Sequence, residues 1–83
     1  MTHDDIWQTI DYVARMFNLS SSGLAKYCGL DSTTFNKSKR VSRDGKLRWP
    51  STLVLSKIFA ATGIGIDEFA KIVLLIQNKN ISK

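Results

Sequence analysis

Leu19-Ser20-Ser21-Ser22-Gly23-Leu24-Ala25-Lys26-Tyr27-Cys28-Gly29-Leu30-Asp31-Ser32-Thr33-Thr34-Phe35 is the stretch on which the reading of this chain turns. A glycine can take the left-handed backbone that stops a helix and reverses the chain, and Gly29 stands where such a stop is needed. Before it, the serine run supplies hydroxyls to cap a short helix from about Ser21 to Cys28, with Leu24, Ala25 and Cys28 facing inward. After it, Asp31 is a natural cap for a third helix, roughly Ser32 to Lys39, anchored by Phe35. Ser32, Thr33, Asn36, Lys37 and Arg40 then point away from the core.

Outward from this centre the pattern stays helical. Ile6, Trp7, Ile10, Val13, Ala14 and Phe17 follow the spacing of one helix face, predicting a first helix over Asp4 to Asn18, with Gln8, Thr9, Asp11 and Arg15 opposite. Asp4 and Asp5 suit its first turn, where backbone N–H groups lack partners. Pro50-Ser51 opens a fourth helix, Thr52 to Thr62, ended by Gly63. A fifth runs from about Ile66 to Gln77, with Ile66, Phe69, Ile72, Val73 and Ile76 in one stripe and Leu74 and Leu75 outside it. Between the third and fourth helices, Val41-Ser42-Arg43 and Lys46-Leu47-Arg48 flank Asp44-Gly45, a dipeptide favoured in two-residue hairpin turns, so a short basic loop or hairpin is expected. Residues 78–83 read as a polar, frayed tail.

The charge is concentrated. The 83 residues carry a net +5. Lys37, Lys39, Arg40, Arg43, Lys46 and Arg48 stand within twelve residues against Asp44 alone, while elsewhere six cations meet six anions. A positive patch on a neutral body points to a polyanionic partner. One cysteine, Cys28, allows no internal disulfide, and His3 as the single histidine leaves too few ligands for a zinc site, so neither metal nor cofactor is expected. No Ser/His/Asp set, paired acid and base, or phosphate-cradling glycine loop is visible, and the chain reads as a non-enzyme. The absence of a secretory leader pattern or a membrane-length apolar run leads us to expect a cytoplasmic protein.

Two short helices joined by a glycine turn, the second leading into basic residues, follow the helix-turn-helix plan. The stretch from Leu19 to Phe35 resembles the lambda-repressor-like (XRE-type) family, whose small residue for close helix packing, turn glycine and following apolar anchor match Ala25, Gly29 and Phe35. Leu55, Lys57-Ile58, Ala61, Gly63-Ile64 and Asp67-Glu68-Phe69 look like that family's fourth and fifth helices. There are two departures. Ser38 stands where the family has an apolar residue, which predicts an early end to the third helix, and the basic loop around Asp44-Gly45 is longer than usual. The run from Ser32 to Arg40 and on through Arg48-Trp49-Pro50-Ser51 is similar to bacterial and prophage repressors that carry a C-terminal self-cleaving peptidase-like domain. This chain then corresponds either to a stand-alone relative or to the N-terminal portion of a longer repressor.

The resemblance implies an all-α, compact five-helix lambda-repressor-like domain over residues 1–77, acting as a sequence-specific transcriptional regulator and repressor on double-stranded DNA. Its third helix would lie in the major groove, with Ser32, Thr33, Asn36, Lys37 and Arg40 reading bases. Ser21, Ser22, Lys39, Arg43, Lys46 and Arg48 would hold phosphates. Leu74 and Leu75 would form the interface of a homodimer. The competing reading is a protein-interaction module that uses that same apolar face of the fifth helix. Bland roles compete at several positions: first-turn chemistry at Ser32, Thr33 and Asn36, capping at Asp31, core packing at Cys28 and Trp7, and pinning of the loop at Trp49.

Overall fold

A computed structural model describes residues 1–81. Thr2 and Asp5 begin α1 (His3–Met16) by capping each other: the Thr2 hydroxyl accepts from the Asp5 N–H at 3.1 Å, and the Asp5 carboxylate accepts from the Thr2 N–H at 2.9 Å. Asn18, left-handed at φ 56°, ends it, with the Leu19 N–H reaching the Ala14 carbonyl at 2.8 Å. The expected outer face of α1 needs correcting at three positions, the first being Gln8, which is half-buried. Thr9 is fully buried and donates to the Asp5 carbonyl, and Asp11 is half-buried.

Ser20 caps α2 (Ser21–Tyr27) through the Gly23 N–H at 3.0 Å. Gly29, at φ 74°, closes it by the same device as Asn18, and the Leu30 N–H bonds the Ala25 carbonyl at 2.8 Å. Here the sequence expectation holds.

The third helix does not form, and the expected five-helix fold is corrected to four α-helices among the described residues. Residues 31–40 run instead through consecutive i→i+3 turns, with Thr34 N–H to Asp31, Asn36 N–H to Thr33, Lys39 N–H to Asn36 and Arg40 N–H to Lys37; only Lys37–Lys39 qualifies as a 3₁₀ turn. Asn36 is extended (ψ 146°), which breaks any helical path. In an α-helix the Phe35 carbonyl would accept from the Lys39 N–H. Here the Arg40 guanidinium occupies that carbonyl, from Nε at 3.3 Å and from a terminal nitrogen at 2.8 Å. Asp31, Thr33 and Thr34 also spend their side chains on local backbone and on one another, which competes with helix.

Val41 and Leu47 form a single antiparallel bridge. Ser42–Gly45 is the turn, closed by the Gly45 N–H on the Ser42 carbonyl at 2.9 Å, with Gly45 at φ 84°. Asp44-Gly45 therefore fills the last two turn positions rather than the centre of a two-residue turn. Ser51 caps α3 (Thr52–Thr62), whose bounds are those expected, and Gly63 at φ 74° ends it. The last helix, α4 (Ile66–Ile81), outruns the expected Gln77 by a turn. Asn80 in that turn donates to Asp5 at 3.0 Å, so the supposed tail is tied to α1; Ser82 and Lys83 lie outside the described residues.

α1 packs mainly on α4 and also on α2. Ile10, Val13, Leu24, Phe35 and Ile58 form the centre of the core, with Phe69, Ile72, Val73 and Ile76 facing it from α4. Ile66, expected in that stripe, is exposed.

Candidate nucleic-acid interface

Arg40 organises the basic segment from inside. It is 9% exposed, and its guanidinium makes a two-pronged pair with Asp11 at 2.7 and 3.0 Å. It also lies over the Trp7 ring, 4.7 Å from the centroid. Its main chain is held as firmly. The Arg40 carbonyl accepts from His3 Nε2 at 2.8 Å and from the Arg48 N–H at 2.9 Å, and the Arg48 carbonyl accepts from Trp7 Nε1 at 2.9 Å. Both stems of the hairpin are thus fastened to α1. The sequence expects Arg40 to read a base, but all three of its guanidinium nitrogens already donate to Asp11 or Phe35.

The other five cations, Lys37, Lys39, Arg43, Lys46 and Arg48, are exposed. Lys46 approaches Asp44 at 3.8 Å, a contact between two solvated groups that holds little energy. Ser42 donates to the Asp44 carboxylate and holds its pKa below the ordinary value. Ser32 and Asn36 are half-buried, and Thr33 is exposed. The Thr33 hydroxyl and N–H both donate to Asp31, at 2.6 and 2.9 Å, and together they lower the Asp31 pKa. Asp31 therefore caps a turn rather than a helix.

Ser21 aims its hydroxyl at Asp11, at 3.5 Å, so it stands beside the buried ion pair, and Ser22 is half-buried. Thr33, Lys39 and Arg48 come together on one recess of about 480 Å³ that also includes Trp49. Leu74 and Leu75 lie on α4, exposed by 57% and 63%, and Leu74 lines a separate apolar groove of about 730 Å³ with Leu55, Phe59 and Val73. Cys28 is buried, and desolvation pushes its thiol pKa up, away from nucleophilic use.

Sequence reasoning missed His3 and Asp11. No spacing signal pairs Asp11 with Arg40. The partner that helix geometry favours is Arg15, four residues on, but Arg15 lies over the Tyr12 ring instead. Neither a family model, nor a curated protein, nor a solved structure matches the chain. Among the described residues, no helix is long and apolar enough to cross a membrane.

Proposed function

We propose that this protein binds double-stranded DNA through residues 32–48 and acts as a sequence-specific transcriptional regulator, a repressor in its simplest form. One observation carries the reading. With Arg40 neutralised by Asp11, five exposed cations remain on residues 37–48 against Asp44 in that stretch and Asp31 beside Lys39, and α1 holds the segment from behind. Lys37, Lys39, Arg43, Lys46 and Arg48 would meet phosphates. The base reader in this proposal is the turn at residues 32–36, not a helix. Asn36 can pair with adenine through both amide atoms, and Ser32 and Thr33 are permissive neighbours.

A second reading is favoured by the apolar groove and by the exposure of Leu74 and Leu75, which make the α4 face a protein-docking surface. In the regulator reading a second copy of the chain sits there, and the homodimer spans half-sites about one helical turn, roughly 34 Å, apart.

Selection of bound duplexes from a random pool, followed by titration at several salt concentrations, tests the proposal. Engagement of about 5 phosphates makes log affinity fall with log salt at a slope of about −4 to −5. Replacing Arg43, Lys46 and Arg48 together by glutamine weakens binding to all duplexes and flattens the slope, while Asn36→Ala changes the preferred sequence. Binding that ignores both changes sinks the regulator reading. Sedimentation of Leu74→Lys and Leu75→Lys in parallel reports the dimer, which is excluded if the wild-type mass is already monomeric.

A further inference from the structure

The recess between the 31–34 turn and the start of α3 joins Thr33, Lys39 and Arg48, which the duplex reading uses, to Asp31, Thr34 and Trp49, which it does not. Its volume of about 480 Å³ falls within the roughly 300–1,000 Å³ of small-molecule sites. Trp49 lines it and is 49% exposed, a large indole left half in water. One ring contact is described for it, edge-on to His3 at 6.0 Å, so the side chain is positioned yet not enclosed. Pinning of the loop does not account for that exposure, because the loop is already fixed through the Arg40 and Arg48 main chains.

The charged groups around the indole are asymmetric. Lys39 and Arg48 line the recess with exposed side chains. Asp31 supplies a carboxylate, while Thr33 and Thr34 supply hydroxyl oxygens whose hydrogens are already given to Asp31. A ligand that satisfies all of these needs a flat π-face for the indole, an anion for the two cations and a hydrogen-bond donor edge for the carboxylate. The carboxylate repels the anion from its own side, which gives the ligand one orientation. A nucleobase with exocyclic amino or ring N–H donors, joined through its sugar to a phosphate, has these parts.

We propose that this recess binds a single nucleotide, its base stacked on Trp49 and its phosphate held by Lys39 and Arg48. The inference deepens the DNA reading and rests on it for the strand-borne source: an unpaired base in a bound strand and a free mononucleotide present the same chemistry.

The test uses the ¹⁵N-labelled full chain, whose two indole N–H signals report Trp7 and Trp49 separately. The probes are adenosine, guanosine and cytidine 5′-monophosphates, the matching nucleosides, an intact short duplex, and the same duplex carrying one unpaired base. A saturable shift of the Trp49 indole is expected with the monophosphates if the free nucleotide is the ligand. It is expected only with the unpaired-base duplex if the ligand is strand-borne. Loss of base stacking in Trp49→Ala weakens binding by about tenfold or more, whereas Trp49→Phe, which keeps an aromatic face, retains most of it. Arg48→Gln weakens the phosphate-bearing probes and spares the nucleosides, and it leaves the Arg48 carbonyl in place for Trp7. No saturable Trp49 shift with any probe overturns the inference. So does equal loss in Trp49→Phe and Trp49→Ala at unchanged helix content. Shifts at the Arg43 and Lys46 amides on adding intact duplex report the DNA reading independently, so either idea can fail while the other stands.

Discussion

Two segments of this chain begin alike and end differently. Residues 51–62 and 31–40 each open on an oxygen-bearing cap followed by threonine or serine, yet one becomes α3 and the other a string of tight turns. The caps differ in reach. The Ser51 hydroxyl accepts from the N–H three residues on, Val54, which is the bond that starts a helix. Asp31 accepts from the N–H two residues on, Thr33, and from the Thr33 hydroxyl, which folds the backbone back on itself. The apolar content differs as well. α3 offers Val54, Leu55, Ile58 and Phe59 to the protein body, while the other segment offers Phe35 alone. A helix that buries one apolar side chain gains little tertiary support, and here a guanidinium also takes the Phe35 carbonyl, which would accept the last hydrogen bond of a helix ending at Lys39. Cap and spacing nominate a helix; burial and free backbone acceptors decide whether it forms.

The largest test removes the guanidinium. Arg40→Ala strands the Asp11 carboxylate, uncovers Trp7 and frees the Phe35 carbonyl, and we expect a loss of about 3 kcal/mol in denaturant unfolding, the low end for a broken buried pair because Asp11 is partly solvated. Replacing both partners, Arg40→Met with Asp11→Leu, recovers most of that loss, since no unpaired charge is left. An Arg40→Ala variant as stable as wild type would remove Arg40 as the pin. A rise in helix content by circular dichroism would mean that Arg40 is the only bar to a helix over 32–39 and that burial of Phe35 is enough to support one.

A smaller effect is expected at the cap of the successful segment. Ser51→Ala costs about 1 kcal/mol and frays the first turn of α3, seen as faster hydrogen exchange at the Val54 amide. Unchanged exchange there would mean that burial alone holds α3. This bears on what was legible in the sequence. The bounds of α3, the glycine stop at Gly29, the inward Ala25 and Phe35 and the turn around Asp44-Gly45 could be read because each depends on residues within a few positions. The missing helix was legible only in part, through Ser38, because the guanidinium that sits on the Phe35 carbonyl is paired with Asp11, 29 residues away. The same contact withdrew one member of the candidate site. The remaining cations were legible because a one-sided charge run has no partners nearby to neutralise it. Trp49 reads in the sequence as a pin for the loop, and its exposure beside Lys39 and Arg48 comes only from the fold.

The smallest expected effect distinguishes the two caps by titration. The Ser51 hydroxyl does not ionise in the accessible range, but the Asp31 carboxyl does, and the Thr33 hydroxyl and N–H hold it below its ordinary value of 3.8. A carboxyl whose folded pKa is lowered adds stability that is fully present above its unfolded value and is lost as pH falls through the folded one. Acidification from neutral pH therefore leaves the two Thr33 bonds to the Asp31 carboxylate intact until below 3.8 and then weakens them, while the Thr34 bonds to the Asp31 carbonyl persist and the Val54 amide shows no matching step. Thr33→Val removes the hydroxyl donor and moves the Asp31 midpoint back toward its ordinary value, as followed by the side-chain carboxyl ¹³C shift. If Asp31 instead titrates at or above 3.8 in the wild type, it accepts no such bonds in solution. The segment would then have no competing local cap, and the burden of explaining its failure to form a helix would fall wholly on Arg40 and on the single buried Phe35.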